Sequence, residues 1–269
     1  MKNFFIVFLM ICALFATGCD SEEKVIKVGT IKYLNLTEEQ LDEIINKNNS
    51  DRLPKSKHIF FENMTSLTAA LESERVDEMQ IYRTVALYLM AYHNELNWEM
   101  SEPLFSDVFC CALREDDKEL LEEFNGAIRQ ISRDGKLSYL VKKYLSDVIY
   151  GEEPPIINLP TFYDKPTIKI GVTGDLPLLD YIRPDGLPSG FNTALLAEIS
   201  KIIEKNFVLV QIDSGARAAA LSSKQVDVIF WSVVPKQGEL FPTNIDKPDG
   251  VILTDPYFSD EIVHVKLRE

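Results

Sequence analysis

Few side chains in this 269-residue sequence have the type and spacing for covalent or metal chemistry. The three histidines, His58, His93 and His264, lie far apart and form no HxxxH or HxH pair, so neither a metal site nor a Ser-His-Asp triad is read. Of the four cysteines, Cys12 and Cys19 fall in an apolar leader, and Cys110 and Cys111 are adjacent. Neighbours in a strand point to opposite faces, whereas an unstrained disulfide needs Cβ atoms about 3.8 Å apart, so this pair reads as two buried thiols. What remains is recognition by charge. Arg217 stands on the first turn of an expected helix after Asp213-Ser214-Gly215, among Ala216, Ala218, Ala219 and Ala220. These small neighbours leave room for a carboxylate to meet both prongs of its guanidinium, a surface helix position being the alternative. Arg83, beside Tyr82, reads as a surface charge. Asp175 and Asp213 are the obvious acid–base candidates, and neither has a histidine partner in the sequence.

The elements that position these residues belong to an exported chain. Lys and Arg total 28 against 42 Asp and Glu, a net charge of −14, without any basic run. A nucleic-acid reader is thereby excluded, because such affinity rests on clustered cations that release counterions. Met1 to Cys19 reads as a targeting signal: Lys2, an apolar run from Phe4 to Phe15, then Ala16-Thr17-Gly18-Cys19. The run is shorter than the roughly 20 residues that span a bilayer. The small residues before Cys19 resemble the bacterial lipobox, with Ala16 where Leu is commonest. The resemblance implies removal of residues 1–18, lipidation of Cys19, and a protein held to the membrane on its extracytoplasmic face.

From Lys24 onward strand and helix signals alternate. Val25 to Thr30 reads as a strand, followed by a helix to about Lys47 with Thr37 as N-cap; His58 to Phe61 and Val76 to Ile81 are further strands. Helices are expected at 65–75 and 84–93. An apolar strand at 107–113 precedes two helices separated by Asp134-Gly135, and residues 151–166, rich in proline, read as a linker. Beyond it come strands at 167–172, 207–212 and 226–234 with helices at 191–205 and 216–223. The fold class is α/β with a mainly parallel sheet, whose ligand sites lie at strand carboxyl ends.

Four segments of the second half are similar to the first lobe of the bacterial extracellular solute-binding proteins of family 3, the amino-acid receptors of ABC importers. They are Gly174 to Tyr181 (GDYPPFxY), Asp185 to Phe191 (DGxxxGF), Ala220-Leu221 through Val226-Asp227-Val228-Ile229 (ALxxGxxDxI) and Asp255-Pro256-Tyr257-Phe258 (DPYY). The first half resembles the later part of that family's chain: Val28-Gly29-Thr30 the turn opening lobe two, Ala70-Leu71 through Val76-Asp77 its ALxxGxxDA, and Phe109 to Arg114 with Asn125 to Ile128, Asp134-Gly135 and Lys143-Tyr144 the returning strand and closing helices. The resemblance therefore implies a two-lobed, periplasmic-binding-protein-like fold of the type II Venus flytrap kind, circularly permuted. In that reading 24–104 forms lobe two, 105–150 packs on lobe one, 151–166 joins the old termini, and 167–269 is lobe one.

The family's ligand-gripping Thr-x-x-Arg and lobe-two Asp have no counterpart here, since the chain reads Phe230-Trp231-Ser232-Val233-Val234 after Asp227 and Tyr82 stands five after Asp77. Arg217 is the expected replacement. By resemblance the ligand set is Arg217, Trp231, Ser232, Asp175, Leu176, Ser214, Tyr82, Thr30 and Asn63. Trp231, at a strand end, is open to either core packing or cleft lining. The implied function is binding of a small polar, carboxylate-bearing solute by hinge closure, as a monomer serving an ABC permease, without cofactor, metal or catalysis. An enzyme on the same scaffold, dehydratase-like, and a sensory ectodomain presenting ligand to a partner are the alternatives.

Overall fold

The computed structural model describes residues 25–48, 55–92, 97–183, 185–235 and 245–268, so the leader and Cys19 lie outside the described residues. The first half runs β1 (Ile26–Ile31), α1 (Glu38–Asn48), β2 (Ser56–Phe61), α2 (Met64–Glu72), β3 (Glu78–Tyr82), α3 (Arg83–Tyr92), β4 (Trp98–Met100) and β5 (Phe105–Arg114). Next come α4 (Lys118–Arg133), α5 (Lys136–Val141), a π-helical turn Lys142–Ser146 and α6 (Asp147–Ile149). Past the proline-rich stretch lie β6 (Thr167–Val172), β7 (Asp175–Leu176), β8 (Asp180–Ile182), β9 (Pro188–Ser189), α7 (Phe191–Ile203), β10 (Asn206–Gln211), a 3₁₀ turn Ser214–Ala216, α8 (Arg217–Ser222), β11 (Val228–Pro235), β12 (Val251–Leu253) and β13 (Phe258–Leu267).

Local chemistry accounts for the element ends. Thr37 and Gln40 form a reciprocal capping box, the Gln40 N–H donating to Thr37 Oγ1 at 3.3 Å and the Thr37 N–H to Gln40 Oε1 at 3.0 Å. Gly135, at φ 70°, takes the left-handed conformation that separates α4 from α5. Helix α4 buries Phe124, Ala127, Ile128 and Ile131, a stripe with i, i+3, i+4, i+7 spacing, and packs on α7. Phe124 stacks on Phe207 at 5.7 Å between ring centroids.

Ten strands form one curled sheet ordered β10-β6-β11-β5-β13-β3-β1-β2, with β12 beside β5 and β4 beside β13. Two strands cross between the halves. β5, from the first half, lies antiparallel between β11 and β13, while β13 pairs with β5 through Phe258–Ile262 and with β3 through Ile262–Val265. Each lobe's sheet is thus completed by a strand from the other half of the chain, and Val263 and Val265 of β13 are fully buried. Cys110 and Cys111 on β5 are free and buried; burial pushes the Cys110 thiol up to about 12 and the Cys111 thiol well above its ordinary value, so both are inert at neutral pH.

The two lobes repeat one local device. Asp77 accepts the Lys27 N–H at 2.8 Å and returns its own N–H to the Lys27 carbonyl at 2.9 Å. Asp227 does the same with Lys169, at 3.0 and 2.8 Å. In both cases the preceding helix ends on a left-handed residue, Glu74 (φ 55°) or Lys224 (φ 62°). The Val-Asp of each ALxxGxxD-like segment therefore ties a helix exit to the first strand of its lobe, which is a structural task and not a ligand contact.

Candidate functional site

The strand ends and turns of the two lobes meet around Arg217. This residue is only 3% exposed: its Nε–H donates to the Ser214 carbonyl at 3.1 Å, and Nη2 crosses to the Lys32 carbonyl of lobe two at 2.9 Å. Burial draws its pKa below the ordinary value, against the opposing pull of Asp246 and other acidic neighbours. Asp246 is buried too. Its two oxygens accept the backbone N–H groups of Leu34 (2.9 Å), Asn35 (2.6 Å) and Leu36 (2.9 Å), the turn that leads from β1 into α1. Burial pushes the Asp246 carboxyl up, while these three N–H donors and Arg217 hold it down. One carboxylate thus sits among three lobe-two amides and in the field of a lobe-one guanidinium.

Beside them lies a cavity of about 40 Å³, room for a few waters at most, bordered by Thr30, Tyr33, Gln80 and Tyr82 of lobe two and by Leu176, Arg217 and Asp246. The lobes are drawn together by further ties. Asp175 accepts the Met64 N–H at the start of α2, and Glu62 accepts the Gly215 N–H at 2.6 Å while lying 3.4 Å from Lys32. A Cβ on Gly215 would lie 2.7 Å from both Glu62 Oε2 and Lys32 Nζ, so a side chain there would displace the ends of these two half-exposed groups.

Of the expected ligand residues, Arg217, Leu176, Tyr82 and Thr30 border the cavity. Of the others, Asp175 and Ser214 bond across to the first half of the chain, and Asn63 bonds within its own helix start. Asp175 caps α2 from across the cleft, because the first N–H groups of a helix lack intrahelical acceptors, and burial raises its carboxyl pKa. Asn63 is the N-cap of that same helix, its side chain accepting the Ser66 N–H at 2.9 Å. Ser214 donates its N–H to the Glu62 carbonyl, and its buried hydroxyl has no hydrogen-bond partner among the described residues. Trp231 and Ser232 lie on β11, where the pairing with β5 is irregular between Ile229 and Ser232; their side chains fall outside the described residues. Arg83 is a surface group, 3.5 Å from Glu261. Tyr33, Gln80 and Asp246 also border the cavity, although no motif in the sequence marks them. Asp246 precedes Lys247-Pro248-Asp249-Gly250, a turn-like run with no periodicity to mark a buried acid. Tyr33 lies only three residues beyond Thr30, and burial, reinforced by the charges of Asp107 and Asp246, keeps its phenol protonated.

Residues 168–238 match the bacterial extracellular solute-binding proteins, family 3. The matched stretch holds Asp175, Leu176, Ser214, Arg217, Trp231 and Ser232, whereas the lobe-two wall and Asp246 lie outside it. No curated protein matches the chain. Among solved structures, the chain is similar to a ligand-binding component of an ABC-type import system from Staphylococcus aureus with zinc bound (12% identity, 89% of this chain and 65% of that one, TM-score 0.44). It is also similar to a periplasmic substrate-binding protein of an ABC transporter from Coxiella burnetii (15%, 90% and 84%, TM-score 0.39) and to the GluR0 ligand-binding core from Nostoc punctiforme in complex with L-glutamate (12%, 91% and 85%, TM-score 0.37). The chain spans less than two thirds of the length of the first of these structures. Among the described residues no helix is long and apolar enough to cross a membrane.

Proposed function

We propose that the chain is an extracytoplasmic solute-binding protein that closes two lobes on a small polar solute bearing a carboxylate. The observation that carries this reading is the Asp246 carboxylate, held by the amides of Leu34, Asn35 and Leu36 in the field of buried Arg217. Backbone amides from one lobe and a guanidinium from the other are the physical requirements of a carboxylate seat in an interlobe cleft. In the closed arrangement the chain's own acid takes those contacts. Opening the lobes frees the seat, and a solute that supplies its own carboxylate and also fills the space by Tyr33, Gln80 and Tyr82 replaces Asp246 and favours closure.

The reading includes a lipid anchor on Cys19, delivery to an ABC permease, and a permuted order in which the chain starts in lobe two. The exchange of β5 and β13 supports that order, since neither half alone supplies a strand to both sides of its own sheet. The dehydratase-like alternative loses support because Asp175, one of its two candidate acids, is engaged at the start of α2. Transport and sensing share the same site; stimulation of a permease ATPase by the loaded protein distinguishes them.

The test is mass spectrometry of solute carried through native purification, followed by calorimetry of that solute against the intact chain and Arg217→Ala. Binding should weaken by about 2–5 kcal/mol in the variant. An acid-free solute, or one bound equally well by both proteins, overturns the proposal.

A further inference from the structure

A second cavity, apart from the cleft at Arg217, is about ten times as large, 410 Å³ against 40 Å³. It opens where α3 of lobe two, the π-helical turn, the proline-rich stretch and the β7–β9 hairpins of lobe one converge. We infer that this cavity is a second ligand site, taking a small aromatic carboxylate, and that it works independently of the Arg217 cleft.

The walls supply the chemistry. Tyr88, Tyr144 and Tyr181 bring three aromatic rings to one space, and Pro154, Pro155 and Pro177 add rigid apolar surface. Such rings favour offset or edge-on contact with a flat apolar body, each pairing contributing beyond the area it buries. Burial, with the neighbouring Tyr181 and Tyr92, raises the Tyr88 pKa, so its hydroxyl remains a donor at neutral pH. Arg183 is the cation of the wall. One Asp185 oxygen accepts from its Nη2 at 2.8 Å while the other accepts the Leu187 N–H at 3.1 Å. That contact orients a guanidinium that carries five donors and leaves capacity for a second carboxylate. Glu153 also borders the space, so the favoured ligand has one anionic group, placed at the Arg183 side.

The backbone around this cavity is held in unusual conformations. Leu178 borders it at φ 65°, a left-handed conformation rare for a branched side chain. Its carbonyl accepts the Phe191 N–H at 2.7 Å. Gly190 sits opposite at φ 100°, where a Cβ would come within 2.9 Å of the Leu178 carbonyl oxygen. Tyr144 is presented by a π-helical turn, a local widening that places side chains off the regular helical faces and recurs at functional sites. Strained or irregular backbone at three separate points of one wall is the pattern of a shaped site.

Calorimetric titration of the purified full chain with indole-3-acetate and phenylacetate tests this. We expect saturable binding that Arg183→Gln weakens about tenfold, by loss of the charge-assisted bond. Tyr144→Leu should weaken it comparably, and Arg217→Ala should leave it unchanged. The methyl ester of indole-3-acetate should bind the intact chain no better than the acid binds Arg183→Gln. No binding of either acid at millimolar concentration, equal affinity in Arg183→Gln, or loss of binding in Arg217→Ala overturns the inference.

Discussion

Replacing Asp246 by alanine empties the carboxylate seat and tests whether it is one. The substitution removes the acceptor of three backbone N–H groups, at 2.9, 2.6 and 2.9 Å. Hydrogen bonds to a charged acceptor contribute about 1.5–3 kcal/mol each, so their sum is at least about 4.5 kcal/mol. The variant also escapes the burial cost that raises the Asp246 pKa, and water reaches part of the exposed turn. A net destabilisation of about 2–4 kcal/mol results, and at about 2–4 °C per kcal/mol the melting temperature falls by about 10 °C. Acetate supplies the missing group without the chain's connection. Excess acetate at about a hundred times its dissociation constant restores about 2.7 kcal/mol, or about 5–10 °C. The assay is a thermal melt of intact chain, Asp246→Ala and Asp246→Ala/Arg217→Ala across an acetate series, with chloride at matched ionic strength as the control. Acetate should raise the melt of the single variant only. A single variant insensitive to acetate, or an intact chain that gains as much, refutes the idea that Asp246 holds a carboxylate seat.

The pH profile should bear the mark of two buried acids. Burial pushes Asp180 and Asp260 up to about 6, above the roughly 3.9 of an unfolded aspartate, so the folded chain binds protons more tightly. Their contribution is fully present below about 3.9 and lost as pH rises through about 6; denaturant melts should therefore show Asp260→Asn flattening the change between about pH 4 and 6, whereas an unaltered slope contradicts the assignment. His58 works against them, its pKa lowered by burial, so its contribution is present above about 6.5 and lost as pH falls. Val263→Ala, at a fully buried position of β13, should cost about 2 kcal/mol by lost methyl burial and lower the melt of both lobes together; separate transitions would show that β13 does not couple them. Cys19→Ser should release the chain from the membrane fraction and abolish incorporation of labelled fatty acid, and membrane retention of the unlipidated form rejects the anchor.

The features legible in the sequence are those whose causes are local. Thr37 as N-cap, Asp134-Gly135 and the apolar stripe of α4 sit within one or two turns of the groups they serve, and the structure forms them where the pattern places them. The repeat at Ala70 to Asp77 and Ala220 to Asp227 is legible as a pattern, yet its physical cause, an aspartate clamping the second or third residue of a strand about fifty residues away, needs the fold. Site residues divide along the same line. Arg217 stands out because small neighbours flank a lone cation, whereas Asp246 meets its partners across more than 200 residues of chain. Asp175 and Asn63 carry the right atoms for a solute, but the orphan N–H groups of α2 claim both. Strand β13 escapes the sequence reading although Ile262, Val263 and Val265 are apolar, because a period reports which face is buried and not which lobe buries it. β5 and β13 run side by side, and both join the strands of one half of the chain to those of the other. Asp107 lies on that crossing, 1% exposed, with Tyr33 and Tyr82 in its field. The strands that join the two parts of the sheet and two tyrosines of the cleft thus lie near one buried carboxyl group, a juxtaposition that no sequence period reports.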